Sequence, residues 1–296
     1  MHLSTQASVA NSIAVKEYQR LGVERIVLAR ELSLDQLGST ITATKEAGIP
    51  VEFECFVHGA MCVAVSGRCL TSQFLTGRSA NRGDCLQPCR RSYTVTDQHN
   101  GNDLVLDRHT VLSARDLCTI DIIGRLTDTG LHAFKIEGRM RDALYVKTTV
   151  ECYRKARDAV IDGVYDSSLV KSLEQRLARV FNRGFSRGFY LKPPDLDIAG
   201  EEGNIATVEK QYAGRVDNYY PKACAADILL EARGLSVGDT VLITGPTTGA
   251  VEFVAGSMRS ADNESIDHSS SGALIGLKTP ELVREGDKVY VLIARE

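Results

Sequence analysis

Two apolar patterns alternate along the first 165 residues. Short runs at 1–6 (MHLSTQ), 25–30 (RIVLAR), 51–57 (VEFECFV) and 132–138 (HAFKIEG) read as strands. Between them, residues 11–22 and 33–48 carry apolar residues at helical spacing. Asn11 and Ser33 are the predicted N-caps, and Gly22 ends the first helix. The stretch DALYVKTTVECYRKARDAV brings residues 144, 148, 152, 156 and 160 to one face of a long helix. Strands alternating with helices predict a parallel sheet covered by helices. About four β/α units are legible where a closed barrel needs eight, so the expected fold class is α/β, a partial TIM-type β/α barrel open beside its first strand. The chain opens directly in a strand, and the expectation is that Met1 lies inside a longer protein.

Residues 171–192 read as a helix followed by a glycine-punctuated connector, and PPDLDIAGEEGN at 193–204 as a linker. From Ile205 the pattern changes to seven short strands: IATVEK, GRVDNYY, ADILLEA, TVLITG, VEFVAGSM, GALIGLK and KVYVLI. LSVGDTVLI (235–243) and LVREGDKVYVL (282–292) echo each other, each placing a Gly-Asp turn before an apolar strand. This predicts a small antiparallel β-barrel. The expected domains are 1–192 and 203–296.

Composition changes little in this picture: 43% hydrophobic and 25% charged residues over 296 positions are ordinary for a globular chain. No apolar run approaches the roughly 18 residues of a membrane span, and the start lacks a secretory pattern, so the expected location is the cytoplasm, with no membrane partner. The net charge of −3 is unevenly spread. Residues 1–192 hold 26 Lys+Arg against 21 Asp+Glu, and residues 193–296 hold 9 against 17. A basic front and an acidic back fit two domains with different surfaces.

Eight cysteines without a secretion signal point to metal or redox chemistry rather than a disulfide framework. Cys62 and Cys69 lie in HGAMCVAVSGRC, Cys85 and Cys89 in GDCLQPCRRSY, and Cys118 in SARDLCTID. The strand at 51–57 delivers the first of these segments to its C-terminal end, where β/α barrels gather active-site loops. Four thiolates suit tetrahedral zinc or an iron–sulfur cluster. Zinc sites favour cysteines two to four apart, which only Cys85 and Cys89 approach. The wide spacing favours a cluster but leaves zinc and plain buried thiols open. Cys55, Cys152 and Cys224 read as structural.

Other candidates surround these thiols. Glu54 and Glu137 sit near strand ends, with Arg139 two residues beyond Glu137, fit to position a substrate or relay protons, or to form a rim ion pair. Arg115 with Asp116 could clamp the thiol loop or bind a carboxylated substrate. His58 beside Cys62 offers the Cys–His pair of a thiol protease. No HExxH metalloprotease motif is present, and AVSGRC is not a nucleophile elbow. Residues 54–93 carry arginines at 68, 78, 82, 90 and 91 against two acids, a pattern suited to phosphates or to a solvated face.

The stretch ECFVHGAMCVAVSGRCLTS (54–72) resembles the signature of the U32 family, historically the collagenase-like peptidases, at Glu54, Phe56, Gly59, Ala60, Met61, Cys62, Gly67 and Cys69. It departs at Thr71, where the family has an apolar residue. TGRSANRGDCLQPCR, ARDLC, KIEGRMR and RGFSRGFYL resemble the same family, and the C-terminal region resembles its small barrel related to elongation-factor domain 2. The family's N-terminal portion has no counterpart here. The resemblance implies either proteolysis or O₂-independent hydroxylation of tRNA wobble uridine (with prephenate as hydroxyl source), of ribosomal RNA, or of quinone precursors. The hydroxylating members carry a [4Fe–4S] cluster, whose implied ligands here are Cys62, Cys69, Cys85 and Cys118, with Cys89 a fifth candidate. A cluster ligand cannot double as a protease nucleophile, so the expected activity is prephenate-dependent 5-hydroxyuridine formation in tRNA, with the U32 peptidase as alternative. The expected catalytic residues are Glu54, His58, Arg115, Glu137 and Arg139. The expected partners are tRNA and either a second U32 protein or the missing half of the barrel.

Overall fold

The computed structural model describes residues 1–91, 93, 95–96, 103–104, 113–191, 199 and 203–295. Most of the expected linker at 193–204 lies outside the described residues. The chain divides into two compact units, Met1–Met140 with Thr149–Ile205, and Arg141–Thr148 with Ala206–Glu296. The second therefore draws in a short segment that the sequence reading assigned to the first.

In chain order, the elements up to residue 186 are β1 (His2–Leu3), α1 (Ser12–Arg20), β2 (Arg25–Val27), α2 (Leu34–Glu46), β3 (Glu52–Ala60), α3 (Thr71–Thr76), β4 (Val95–Thr96), β5 (Asp103–Leu104), β6 (Asp116–Cys118), α4 (Ile123–Asp128), β7 (Ala133–Ile136), α5 (Ala143–Ile161), α6 (Ser167–Ala178) and β8 (Phe185–Ser186). The helix starts follow from local chemistry. The Asn11 side chain accepts from Ala14 N at 2.9 Å. Ser33 and Gln36 form a reciprocal capping box that satisfies two otherwise unpaired N–H groups.

Strands β1, β2 and β3 run parallel, and β7 is parallel to β3. The sheet path is β1-β2-β3-β6-β8, with β7 also on β3. Its core is built on apolar residues, with Ile26, Phe53, Val57, Ile120 and Leu126 among those buried. The architecture is thus mixed α/β with a parallel sheet, and it departs from a simple parallel series at one point. β6 pairs antiparallel with β3, setting Cys118 opposite His58. The sequence pattern does not predict this strand, because three residues, all buried, carry no readable period. Among the described residues the path ends at β1 and β8, with β7 a branch on β3.

The second unit contains β9 (Val208–Tyr220), β10 (Ala225–Leu230), β11 (Leu235–Ser236), β12 (Thr240–Gly245), β13 (Gly249–Val254), β14 (Met258–Ser260), β15 (Ser265–Ile266), β16 (His268–Ser269), β17 (Leu274–Lys278) and β18 (Lys288–Ala294). Eight of them form one antiparallel sheet in the order β13-β12-β18-β9-β10-β17-β14-β15 around a second apolar core. The two predicted strands IATVEK and GRVDNYY are in fact one, β9. Gly214 reads as a turn in the sequence, but it lies inside the strand, where glycine is required because a Cβ would lie 1.9 Å from Leu229 O. The echoed Gly-Asp segments make the same turn twice: Asp239 accepts from Ser236 N at 2.9 Å, and Asp287 from Arg284 N at 2.8 Å.

Candidate thiol site

The first thiol is placed by the end of β3. Gly59 has φ +109°, and a Cβ there would lie 2.4 Å from Glu137 O, so only glycine lets β3 pass this close over the end of β7. Met61 and Cys62 follow at once. The next turn is pinned by Ser66, in the left-handed region at φ 48°. Its N and Oγ donate to the Glu31 carboxylate at 2.6 and 3.0 Å. Cys69 precedes α3, and its Sγ accepts from Thr71 N at 3.4 Å. Leu86 N donates to Ser72 Oγ at 3.0 Å, tying the Cys85 segment to α3. Cys89 lies in the short helical turn Pro88–Arg90.

Cys62, Cys69, Cys85 and Cys89 line one cavity of about 340 Å³, together with Arg30, Phe56, Arg90, Lys135, Glu137 and Arg139. Burial pushes the Cys89 thiol up, Arg90 opposes this, and Cys62, Cys85 and Cys69 each raise it further, so all four thiols lie within electrostatic reach. Among the described residues no three cysteine, histidine or carboxylate groups gather tightly enough to hold a single ion.

Several expected site residues lie elsewhere. Cys118 is a core residue of β6 and does not line the cavity. Burial raises its thiol to about 12, and the Tyr153 hydroxyl sits 3.8 Å from its Sγ. The fourth thiol at the cavity is Cys89, not Cys118. His58 is also buried away from the cavity and forms no pair with Cys62. Tyr153 gives its hydroxyl proton to Val57 O at 2.8 Å, so His58 Nδ1 donates to Tyr153 Oη at 3.3 Å. Buried Glu54 is held by the half-exposed cations Lys135 at 3.0 Å and Arg25 at 3.9 Å, with His2 Nε2 at 3.5 Å. It is a structural hub rather than a cavity carboxylate. Arg115 packs at Gly184, outside the cavity lining. Its neighbour Asp116 pairs with buried Arg183 at 3.2 Å. Of the expected catalytic set, Glu137 and Arg139 line the cavity, with Arg139 N donating to Glu137 Oε1 at 2.9 Å.

Arg90 is corrected as a phosphate contact. Its guanidinium donates to Met61 O and Ala114 O, and to Ser113 Oγ at 3.3 Å, clamping the Cys62 and Cys89 segments together. Arg30 and Lys135 were not singled out from the sequence. The available signal for Arg30 was its place just beyond a strand end, where β/α folds put functional groups.

His58 supplies a pH prediction. Burial lowers it to about 3 from an ordinary value of 6.5. The unfolded chain therefore binds a proton that the folded chain refuses, and stability falls as pH drops from about 6.5 towards 3, by up to ~1.4 kcal/mol per pH unit. In urea melts, His58→Gln should show a shallower acid loss than wild type over this window. An unchanged slope would contradict the neutral buried assignment.

Residues 1–199 match the family model for peptidase family U32. An uncharacterized protease of Methanocaldococcus jannaschii is 41% identical over 297 residues, covering 99% of this chain and 72% of that protein. A collagenase of Porphyromonas gingivalis is 38% identical over 302 residues, covering 100% and 72% respectively. A tRNA hydroxylation protein P1 of Bacillus subtilis is 42% identical over 163 residues, covering 54% of this chain and 37% of that protein. The family match over the α/β unit and its thiol loops, joined to these similarities, makes this chain a member of peptidase family U32.

Proposed function

We propose that this chain is an iron–sulfur-dependent RNA-modifying enzyme of the cytoplasm that hydroxylates tRNA wobble uridine to 5-hydroxyuridine, with prephenate as hydroxyl source. The observation that carries this reading is the convergence of Cys62, Cys69, Cys85 and Cys89 on one cavity. Soft thiolates select zinc or iron–sulfur centres. One tetrahedral zinc draws its ligands tightly together, with Zn–S of about 2.3 Å. Among the described residues these thiols share a cavity without gathering tightly enough for a single ion, which suits a [4Fe–4S] cube with one thiolate per iron. Such a cluster would supply redox chemistry at the cavity. The parallel run β1, β2, β3 and β7 suits a segment of a TIM-type β/α barrel, with the thiol loop at its C-terminal face.

The protein's own groups then divide the work. Glu137 faces the cavity as the carboxylate able to hold or move a proton, and Arg139 N fixes its Oε1. Arg68, Arg78, Arg82 and Arg91 are exposed on the thiol segments, beside Phe74, 81% exposed on α3. Arginines on phosphates and an aromatic face for an unstacked base are the elements of single-stranded RNA binding. The relative named for tRNA hydroxylation supports the same class.

The relatives named protease and collagenase keep proteolysis as the second reading. The cavity offers it little, because among the described residues no histidine lines it beside the thiols.

Mass spectrometry of tRNA from a strain lacking this gene and any paralogue is the test. Loss of 5-hydroxyuridine, restored by the wild-type gene, is the expected result. Unchanged 5-hydroxyuridine overturns the assignment and brings ribosomal RNA, quinone precursors and peptides forward as substrates.

A further inference from the structure

We propose that Arg30 is the anion anchor of the thiol cavity, receiving there the carboxylate of a small organic acid. This rests on the functional reading above and assigns the acid a residue that the sequence did not suggest. Arg30 lies three residues beyond β2 and lines the same cavity as the four thiols. Its guanidinium carbon stands 3.7 Å from the Phe56 ring centroid, so the plane of the fork is fixed by stacking. A fixed planar fork is the geometry that grips a carboxylate through two parallel hydrogen bonds.

The guanidinium is nevertheless poorly satisfied. Among the described residues its one hydrogen bond runs from Nη1 to Ala60 O at 3.0 Å, and its buried Nε meets no acceptor. Leaving a largely buried cation this short of acceptors is costly, and an anionic ligand removes that cost. The other cavity arginines are already engaged: Arg90 on the carbonyls of Met61 and Ala114, and Arg139 on Gly83 O at 2.8 Å. Lys135, 5.5 Å from the same Phe56 ring, is engaged by Glu54 at 3.0 Å, which leaves Arg30 as the less satisfied cation of the cavity. Burial most disfavours the Arg30 cation, and Glu137 and then Cys62, both lining the same cavity, are the opposite charges that most favour it.

A phosphate of bound RNA is also an anion. The exposed arginines 68, 78, 82 and 91 are better placed for a polymer. Arg30 sits within a cavity of about 340 Å³, the size of a small-molecule site.

The test is anaerobic titration calorimetry of the full, iron-loaded chain with prephenate as probe, on wild type, Arg30→Gln and Arg30→Lys, with iron content and affinity for an anticodon stem-loop RNA measured in parallel. The expected result is saturable binding by wild type, a Kd raised about tenfold or more in Arg30→Gln, partial recovery in Arg30→Lys, and unchanged iron and RNA affinity. Four results overturn it: no binding by wild type, equal Kd in Arg30→Gln, loss of iron together with prephenate (Arg30 then serves the thiolates), or RNA affinity falling more than prephenate affinity. The two readings fail separately. Arg30-independent prephenate binding removes the anchor while loss of 5-hydroxyuridine in the deletion strain still upholds the function. Unchanged 5-hydroxyuridine removes the function while an Arg30-dependent prephenate site still stands.

Discussion

Cys89→Ala should strip the chain of most of its iron, whereas Cys118→Ala should keep iron at the wild-type level. The two thiols differ in where the backbone puts them. Cys89 lies at the cavity with Cys62, Cys69 and Cys85, and its thiol responds electrostatically to all three. Removing it leaves one corner of a four-iron cube without its thiolate. Cys118 is packed in the core of β6, where Tyr153 approaches its Sγ at 3.8 Å. Its loss removes one small buried side chain and should cost ~1–2 kcal/mol, a shift of about 2–4 °C in Tm for a chain this size. Iron analysis with a thermal melt of each variant checks both halves. Retention of iron by Cys89→Ala and its loss from Cys118→Ala would return the fourth position to Cys118.

Gly59→Ala should unseat the thiol site without touching a thiol. The residue needs φ +109°, and the new Cβ would meet Glu137 O at 2.4 Å, a backbone atom that cannot rotate away. Strain at such a φ costs ~1–3 kcal/mol, and relieving the overlap costs ~1–3 kcal/mol more. Relief requires β3 and β7 to move apart at the point where β3 hands over to Met61 and Cys62 and β7 hands over to Glu137. Expected are a Tm drop of several degrees and loss of iron. Gly22→Ala is the control. It also has positive φ, +83°, but open space around its Cβ position, so it should cost only ~1 kcal/mol and leave iron unchanged. Wild-type Tm and iron content in Gly59→Ala would show that the close approach does not govern the site.

The parallel strands β1 to β3 and β7, and the helices α1, α2 and α5, were legible because each combines a clear period with capping or turn residues such as Asn11 and Ser33. The repeated Gly-Asp turns were legible for the same reason. β6 was not, and that omission also concealed the setting of Cys118: a three-residue buried strand has no period, and its antiparallel pairing with β3 is a tertiary fact. Gly214 misled because close backbone approach and turn formation both call for glycine, and a sequence does not tell them apart. Cys62, Cys69 and Cys85, singled out by the motif and its family resemblance, do line one cavity. Arg90 looked like a phosphate contact because charge is visible in sequence, while the carbonyls that engage it come from Met61 and Ala114, remote along the chain.

Anaerobic purification of the full chain, followed by iron, acid-labile sulfide and zinc analysis, tests the central claim most directly. About four iron and four sulfide per chain, with zinc at trace level, is the result expected if Cys62, Cys69, Cys85 and Cys89 hold one [4Fe–4S] cluster. Stoichiometric zinc without iron or sulfide would contradict it.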